Sequence, residues 1–199
     1  MSNFFKKTFP LFLFIVFTAI AVGTFYILLN QQNYFSTENN LKNTQASAQE
    51  VVAGGPVYLI IPSLDINARV EHLGLDANGV LKTPVGPHTV AWYNQGPKPG
   101  QKGSAVISGH YGPWRSGEGS VFDELNTLTK GDKVQVRDDK GNTISFTVID
   151  MRTYDADDHP AEVFNRNDGA YLNLITCSGT WLQTQETYTQ RLVVFTKAD

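Results

Sequence analysis

Cysteine is almost missing from the 199-residue sequence, which contains one, Cys177, so no intramolecular disulfide can form. An excess of positive charge is also missing, because the formal net charge is −3 and no basic stripe is visible. Nucleic-acid binding depends on clustered lysine and arginine, so we expect no nucleic-acid partner. The sequence shows no internal repeat. Hydrophobic residues make up 41% of the chain, which is enough for a packed core in one ordinary domain.

The N-terminal part contains an apolar run, residues 9–29, in which 21 residues follow one another without a charge. As a helix this run would span about 31 Å, the thickness of the hydrocarbon core of a bilayer. Lys6 and Lys7 precede the run, and the next positive charge after it is Lys42. The positive-inside rule therefore predicts a single-pass signal-anchor in the cell membrane, with residues 1–8 in the cytoplasm and the remainder outside.

A cleaved signal peptide is the competing interpretation of this run. Such a peptide has an apolar region of about 7–15 residues, followed directly by a small-residue cleavage site. The Ala-x-Ala triplet that follows the run, residues 46–48, lies far downstream of its end, so an uncleaved anchor is favoured. Residues 30–55 are rich in Asn, Gln, Ser and Thr and are predicted to be a flexible linker, because they cannot bury enough apolar surface to fold. Residues 56–199 form the predicted extracytoplasmic domain.

This outer domain is predicted to be mainly β, because short apolar or alternating runs recur between Gly- and Pro-rich turns. The predicted strands are residues 57–61, 68–73, 90–93, 104–108, 132–137, 143–154, 171–177 and 190–197. Residues 139–142 predict a hairpin turn. One helix is predicted over residues 120–128, with Ser120 as its cap and Asp123 at the capping-box position. About eight short strands in roughly 140 residues favour a small closed barrel or a sandwich.

Cys177 is placed at the end of the predicted strand 171–177, where Ser178 and Gly179 interrupt the apolar run. Alternation puts two sets of side chains on opposite faces: Leu172, Leu174 and Thr176 on one, Asn173, Ile175 and Cys177 on the other. A thiol held at a strand end suits a nucleophile, whereas a small buried hydrophobe is the alternative. An unpaired cysteine outside the cytoplasm indicates a reactive role or an intermolecular bond, which favours the nucleophile.

A nucleophilic thiol needs a proton-transfer partner and a group that stabilises the oxyanion. His110 follows the predicted strand 104–108 and Gly109, so it also lies where a strand meets a loop. Arg191 precedes the apolar run 192–195 and needs either an anionic partner or a cleft. The alternatives are a structural histidine and an arginine that reaches water at the rim.

These residues resemble the sortases, membrane-anchored cysteine transpeptidases found mainly in Gram-positive bacteria. The resemblance is carried by Ser108-Gly109-His110, by Leu174-Ile175-Thr176-Cys177 and by Arg191 within Gln-Arg-Leu-Val-Val, and it covers residues 56–199. Four further stretches are more similar to class F and the related class D and E sortases: Thr83-Pro84, Ala91-Trp92-Tyr93, Gly96-Pro97 and Pro99-Gly100. Asn173 departs from the family, in which many members have threonine at this position.

The resemblance implies a closed eight-stranded sortase barrel with one or two short helices, preceded by a single transmembrane helix. It implies that the Cys177 thiolate cleaves surface proteins between Thr and Gly of a C-terminal Leu-Pro-x-Thr-Gly-like sorting signal and forms a thioester. Arg191 would stabilise the oxyanion, and His110 would protonate the leaving amine and deprotonate the incoming one. That amine would belong to a peptidoglycan precursor or a pilin lysine, with water giving slow hydrolysis. No cofactor is implied.

Substrate-binding residues are predicted beside the catalytic ones. Thr176 precedes the cysteine, and Trp114 and Trp181 each follow a candidate catalytic residue by four positions. The two tryptophans either form walls of the peptide groove or pack the loops.

An acidic loop contains Asp155, Asp157, Asp158 and Glu162. Calcium would require six to eight oxygen ligands in fixed geometry, so a solvated loop is favoured and no metal site is predicted.

Two questions stay open at the level of sequence. Cationic neighbours could lower the pKa of the thiol, or only a minor fraction of molecules could carry thiolate and imidazolium together. The alternative function is a non-catalytic, membrane-tethered module that binds a wall polymer or protein, with Cys177 as an inert buried thiol.

Overall fold

The computed structural model describes residues 54–114 and 117–199. The predicted cytoplasmic segment 1–8, the anchor 9–29 and all of the linker except its last two residues lie outside this part of the chain. Within residues 54–114 and 117–199, no helix has the length and apolar character needed to cross a membrane.

Eight strands close into a mixed barrel, which confirms the predicted mainly-β, closed eight-stranded fold with few short helices. The strands are β1 (Pro56–Ile61), β2 (Ile66–Leu73), β3 (Val90–Tyr93), β4 (Gly103–Gly109), β5 (Lys133–Asp138), β6 (Thr143–Asp155), β7 (Ala170–Leu182) and β8 (Thr187–Ala198). Their order around the barrel is β1-β2-β3-β4-β7-β8-β6-β5, and β5 pairs with β1. The pairs β2–β3 and β4–β7 are parallel, and the others are antiparallel.

The short helical segments lie between the strands. They are two 3-10 turns, Pro62–Leu64 and Leu125–Thr127, and one four-residue helix, α1 (Ala161–Phe164).

The barrel interior is filled by every second residue of its strands. Leu59, Ile107, Phe146, Leu172 and Val194 belong to this interior cluster and are almost completely buried. Burying each such side chain contributes about 1.5–3 kcal/mol relative to exposure. The alternation predicted from the sequence of β7 is therefore confirmed for its inward-facing leucines.

A second apolar layer covers the outer face of β4, β7 and β8. Its buried members are Val106, Val163, Val193 and Phe195, with Ile175 packed against them. Val163 belongs to α1, so this short helix covers the outer surface of the sheet. β7 is packed on both faces, which explains why its sequence is a nearly continuous apolar run.

The strand that contains Cys177 is longer than the sequence predicts. β7 continues to Leu182, so the prediction that the strand stops at Cys177 is wrong. Regular pairing with β8 is interrupted between Ser178 and Trp181, and Gly179 lies there with a φ of 82°. The glycine therefore produces an irregularity inside a long hairpin instead of ending the strand.

The predicted helix over residues 120–128 is also wrong, because this segment forms turns and a single 3-10 turn. Half of the capping box is present, since the Asp123 carboxylate accepts a hydrogen bond from the Ser120 backbone N–H at 2.8 Å. The Ser120 hydroxyl, however, donates to the carbonyl of Gly112 at 2.6 Å and does not cap a helix. The second Asp123 oxygen accepts from the Gly112 N–H at 2.6 Å. These long-range contacts replace the local bonds that would start a helix.

Candidate active site

Three neighbouring strands bring the predicted catalytic residues together. Cys177 of β7 lies directly opposite Arg191 of β8 in the antiparallel register. On the other side of β7, the parallel register with β4 pairs Ser108 with Ile175. His110 follows Ser108 by two residues, as Cys177 follows Ile175, so the histidine emerges from β4 level with the cysteine. The barrel therefore lines up His110, Cys177 and Arg191 across three adjacent strands.

Thr176 joins two of these strands behind the site. Its side chain is buried, and its hydroxyl donates a hydrogen bond to the carbonyl of Gly109 at 2.8 Å. This bond fixes the end of β4 immediately before His110. The predicted substrate-binding role of Thr176 stays a prediction, whereas its contact shows how the residue supports the histidine.

Cys177, the only cysteine of the chain, is half-buried. Burial raises the pKa of Cys177 above its ordinary value, because desolvation disfavours the thiolate, and the positive charge of Arg191 offsets this only in part. A neutral thiol therefore predominates near neutral pH. This result speaks against a thiol whose pKa is brought below its ordinary value by cationic neighbours.

The guanidinium of Arg191 is held by the first residues of its own strand. Its Nη1 donates to the carbonyls of Tyr188 at 3.0 Å and Gln190 at 2.8 Å. Its Nη2 donates to the hydroxyl of Thr187 at 3.1 Å. A guanidinium has five N–H donors, so these bonds use three of them. Within the described part of the chain, the Nε–H and one Nη2–H stay available for a bound ligand.

The ring of His110 is fixed by a backbone carbonyl and an aromatic side chain. Its Nε2 lies 2.8 Å from the carbonyl oxygen of Pro84, and its centroid lies 4.7 Å from that of the Trp114 ring. A carbonyl only accepts hydrogen bonds, so the proton of the neutral ring is assigned to Nε2. Nδ1 is then the nitrogen that can exchange a proton with reacting groups.

Sequence reasoning missed an aromatic cluster on the Arg191 side of the site. Tyr188 packs against Trp181 and Tyr111, with ring centroids 5.0 and 5.2 Å apart. Burial raises the pKa of Tyr188, and the neighbouring Tyr111, Cys177 and Asp123 raise it further. The tyrosine therefore stays protonated. Its position three residues before Arg191 is the sequence signal that could have identified it.

Two surfaces flank the cysteine on the outside of the barrel. Towards α1, the half-buried side chain of Ile175 packs against a buried apolar cluster that includes Val193. On the other side lies a cleft of about 370 Å³, whose walls include Tyr111, Asp123 and Tyr188. The site is thus bordered by a packed apolar cluster on one side and by an aromatic, acidic cleft on the other.

The acidic loop forms ion pairs and turns. Glu162 accepts hydrogen bonds from Tyr154 at 2.9 Å and from Arg152 at 3.3 Å. Asp158 accepts one from the N–H of Asp155 at 3.2 Å. Among residues 54–114 and 117–199, no three His, Cys, Asp or Glu side chains are grouped so that they could hold a metal ion.

A family model described as the sortase domain matches residues 59–199, which is more than half of the chain. The chain therefore belongs to the sortase family, a family of cysteine transpeptidases. A comparison with curated proteins finds no significant match.

Solved structures of similar fold include sortases named as class A and class C. Sortase C1 of Streptococcus agalactiae is 24% identical, with a TM-score of 0.56, and the alignment covers 76% of this chain and 72% of that one. Sortase C-1 of Actinomyces oris is 23% identical, with a TM-score of 0.57 and coverage of 78% and 81%. Sortase A of Corynebacterium diphtheriae is 20% identical, with a TM-score of 0.55, and this chain covers 61% of its length. At these identities the likeness concerns the fold.

Proposed function

We propose that this sortase cleaves surface proteins between Thr and Gly of a C-terminal Leu-Pro-x-Thr-Gly-like sorting signal and transfers them to an amine. The observation that carries the proposal is that Cys177 and Arg191 face each other on β7 and β8, while His110 directly follows β4 on the other side of β7. A thiol nucleophile, a proton carrier and an oxyanion donor are the three groups that amide cleavage through a thioester requires.

The first half-reaction forms the thioester. The proton of the Cys177 thiol moves to His110, which gives a thiolate and an imidazolium. The thiolate sulfur attacks the threonine carbonyl carbon, and the resulting oxyanion accepts hydrogen bonds from the N–H groups of Arg191 that the protein leaves available. The intermediate then breaks the bond to the glycine nitrogen, which takes the proton from His110 and leaves as an amine.

The second half-reaction restores the free enzyme. An incoming amine attacks the thioester carbonyl and gives its proton to His110, and the carbon–sulfur bond breaks. The products are a new amide and the Cys177 thiolate, which takes the proton back. Water in place of the amine gives hydrolysis of the thioester. Both half-reactions use the same three side chains and no cofactor.

The two flanking surfaces are assigned to different parts of the substrate. The half-buried side chain of Ile175, on the α1 side of the cysteine, is assigned to the leucine and proline of the signal. Trp114 is assigned to the wall beside His110, and Trp181 to the opposite wall with Tyr188. Thr176, whose side chain is buried behind the site, is assigned a supporting role through its bond to the Gly109 carbonyl.

The setting of the reaction is proposed from the sequence. Residues 9–29 would anchor the protein in the cell membrane, and the catalytic domain would lie outside. The amine would come from a peptidoglycan precursor or a pilin lysine. The stretches Thr83-Pro84 and Ala91-Trp92-Tyr93 support assignment to class F or the related classes D and E.

The experiment uses the full-length chain in detergent, a set of Leu-Pro-x-Thr-Gly-type peptides and an amine acceptor. We expect mass spectrometry to detect cleavage after Thr and an acyl adduct on Cys177. The Cys177→Ala variant should lose both, whereas Ser178→Ala, which changes the next residue, should keep them. No cleavage across the peptide set, together with a thiol that is alkylated only after denaturation, would favour the non-catalytic binding module.

A further inference from the structure

The segment between β2 and β3 contains the backbone acceptor of His110. The carbonyl oxygen of Pro84 lies 2.8 Å from His110 Nε2. The next residue, Val85, donates its backbone N–H to both carboxylate oxygens of Glu71, at 3.1 and 3.3 Å. The hydroxyl of Thr89 donates to the same carboxylate at 2.7 Å. Glu71 belongs to β2 and so provides a fixed point on the barrel.

One peptide unit connects these contacts. The carbonyl of Pro84 and the N–H of Val85 belong to the same planar, trans peptide bond and therefore point in opposite directions. Glu71 binds one end of this unit, and His110 contacts the other. A carboxylate at the N–H end also strengthens the carbonyl as an acceptor, because hydrogen bonds in a chain polarise one another.

Few other contacts hold this peptide in place. Pro84 is buried, so packing of its ring holds one side of the peptide, but it has no N–H to donate; Val85 is 83% exposed, so its packing adds little. The segment is attached elsewhere by the carbonyl of Pro87, which accepts from the Val121 N–H at 2.8 Å, and by His88, 3.3 Å from Glu118. Those contacts lie on the far side of Gly86, and on the near side the Lys82 N–H donates to the Gly74 carbonyl at 3.1 Å; none of these contacts involves the Pro84–Val85 peptide.

We propose that Glu71 is a positioning residue for the transpeptidation reaction, acting on His110 through the Pro84–Val85 peptide. This inference rests on the proposed function. Glu71 orients the Pro84 carbonyl so that it accepts the Nε2–H of His110 and holds the ring with Nδ1 towards the reacting groups. The same carbonyl stabilises the imidazolium that forms when Cys177 gives up its proton. The Thr83-Pro84 stretch singled out in the sequence thereby acquires a role through its backbone.

The kinetic test compares Glu71→Ala with Asp132→Ala in the full-length chain. Asp132 is a matched control, because its carboxylate also accepts from one backbone N–H and one threonine hydroxyl, both of Thr129, in the turn before β5. We expect Glu71→Ala to slow thioester formation by about 10- to 100-fold, as misplacement of a catalytic group does, with little change in the KM for the peptide. Glu71→Gln, which keeps one acceptor oxygen, should recover most of the rate. Asp132→Ala should keep the wild-type rate.

A spectroscopic readout tests the same chain of contacts without turnover. The protein has four histidines, so ¹⁵N-histidine labelling resolves the Nε2–H of His110, and its signal is assigned by its loss in His110→Ala. Hydrogen bonding to Pro84 slows exchange of this proton with water, and we expect the signal to broaden or vanish in Glu71→Ala but not in Asp132→Ala. Wild-type protein that shows this signal but forms no thioester would overturn the proposed function and leave the positioning contact supported.

Two variants of Thr89 test the role of Glu71 if Glu71→Ala does not fold. Thr89→Val removes the hydroxyl that holds the Glu71 carboxylate, whereas Thr89→Ser keeps it. We expect Val at this position to reduce the rate of thioester formation and Ser to retain it. The inference is overturned if Glu71→Ala, or Thr89→Val in its place, keeps the His110 Nε2–H signal and loses no more rate than Asp132→Ala.

Discussion

Cys177 and Arg191 face each other across the β7–β8 pair, yet the guanidinium is hydrogen-bonded to the start of its own strand. The charge of Arg191 lowers the pKa of the thiol, but burial raises that pKa by more. The resting enzyme therefore holds a neutral thiol beside an arginine whose remaining donors are available to a substrate. This arrangement slows alkylation and oxidation of the nucleophile, because the thiolate is the reactive form.

Replacing Arg191 by glutamine should raise the pKa of Cys177 further, because the charge that favours the thiolate is removed. The rate of iodoacetamide alkylation, followed against pH by intact mass, should rise at a higher pH than in the wild type. Peptide cleavage should fall by about 100- to 1,000-fold, as for the loss of an oxyanion donor. Arg137→Gln is the control, because this arginine stacks on Tyr58 on another part of the barrel. An unchanged alkylation curve would contradict the electrostatic role of Arg191.

Gly112 should not tolerate alanine, because it has a φ of 88° and an added Cβ would overlap the hydroxyl of Tyr188. The positive φ alone costs about 1–2 kcal/mol for an L-residue. Gly141 is a matched control, with a φ of 82° and open space around the same position. Thermal unfolding should show a larger loss for Gly112→Ala than for Gly141→Ala. Only the former should reduce cleavage, since it displaces the segment that follows His110. Equal losses in both variants would show that contact with Tyr188 has no effect.

Asn173 should be needed to hold α1 against the sheet. Its side chain is completely buried, and its Nδ2 donates to the carbonyl of Val163 at 2.6 Å. Asn173→Val leaves this carbonyl without a partner, which costs about 1–3 kcal/mol, and should raise the KM for the peptide because Val163 of α1 belongs to the cluster against which Ile175 packs. Thr196→Val is the control, since its buried hydroxyl donates to the Leu172 carbonyl at 2.7 Å, away from α1. It should lower the melting temperature and leave the KM unchanged.

Alternation of apolar residues was sufficient to predict the strands, because each strand of a closed barrel must send every second side chain into the interior. It also placed Cys177 on the face of β7 opposite Leu172 and Leu174, and the structure shows that this face is the outward one and brings the cysteine opposite Arg191. It failed at Gly179, which reads as the end of a strand but produces an irregularity within one. A local pattern does not reveal that β8 pairs with both sides of that irregularity.

The missed parts of the site depend on backbone groups and long-range contacts. The acceptor of His110 is the carbonyl of Pro84, which every residue type would supply, so no side chain identifies it. Ser120 resembles a helix cap, but its hydroxyl binds the Gly112 carbonyl, eight residues earlier in the chain. Such contacts are set by the tertiary fold, and only the three-dimensional arrangement reveals them.

Asp138 should make the stability of the barrel depend on pH at the acidic end. Its carboxylate is buried beneath the β5–β6 turn. It accepts two hydrogen bonds from Asn142, one from Nδ2 at 3.0 Å and one from the backbone N–H at 2.8 Å. The backbone N–H groups of Gly54 and Lys140 each donate one more at 3.0 Å. Burial raises the pKa of Asp138, but these hydrogen bonds outweigh it, so the pKa lies below the ordinary value.

A carboxyl group whose folded pKa is lowered stabilises the protein above its unfolded pKa, about 3.9, and loses this contribution as the pH falls through the folded value. Asp138→Asn should therefore melt at a lower temperature than the wild type at pH 7, and the difference should shrink steadily below about pH 4. Asp139→Asn, at the exposed neighbouring position, is the control and should follow the wild-type curve. A constant difference between Asp138→Asn and the wild type from pH 7 to pH 2 would show that the charge of Asp138 does not stabilise the turn.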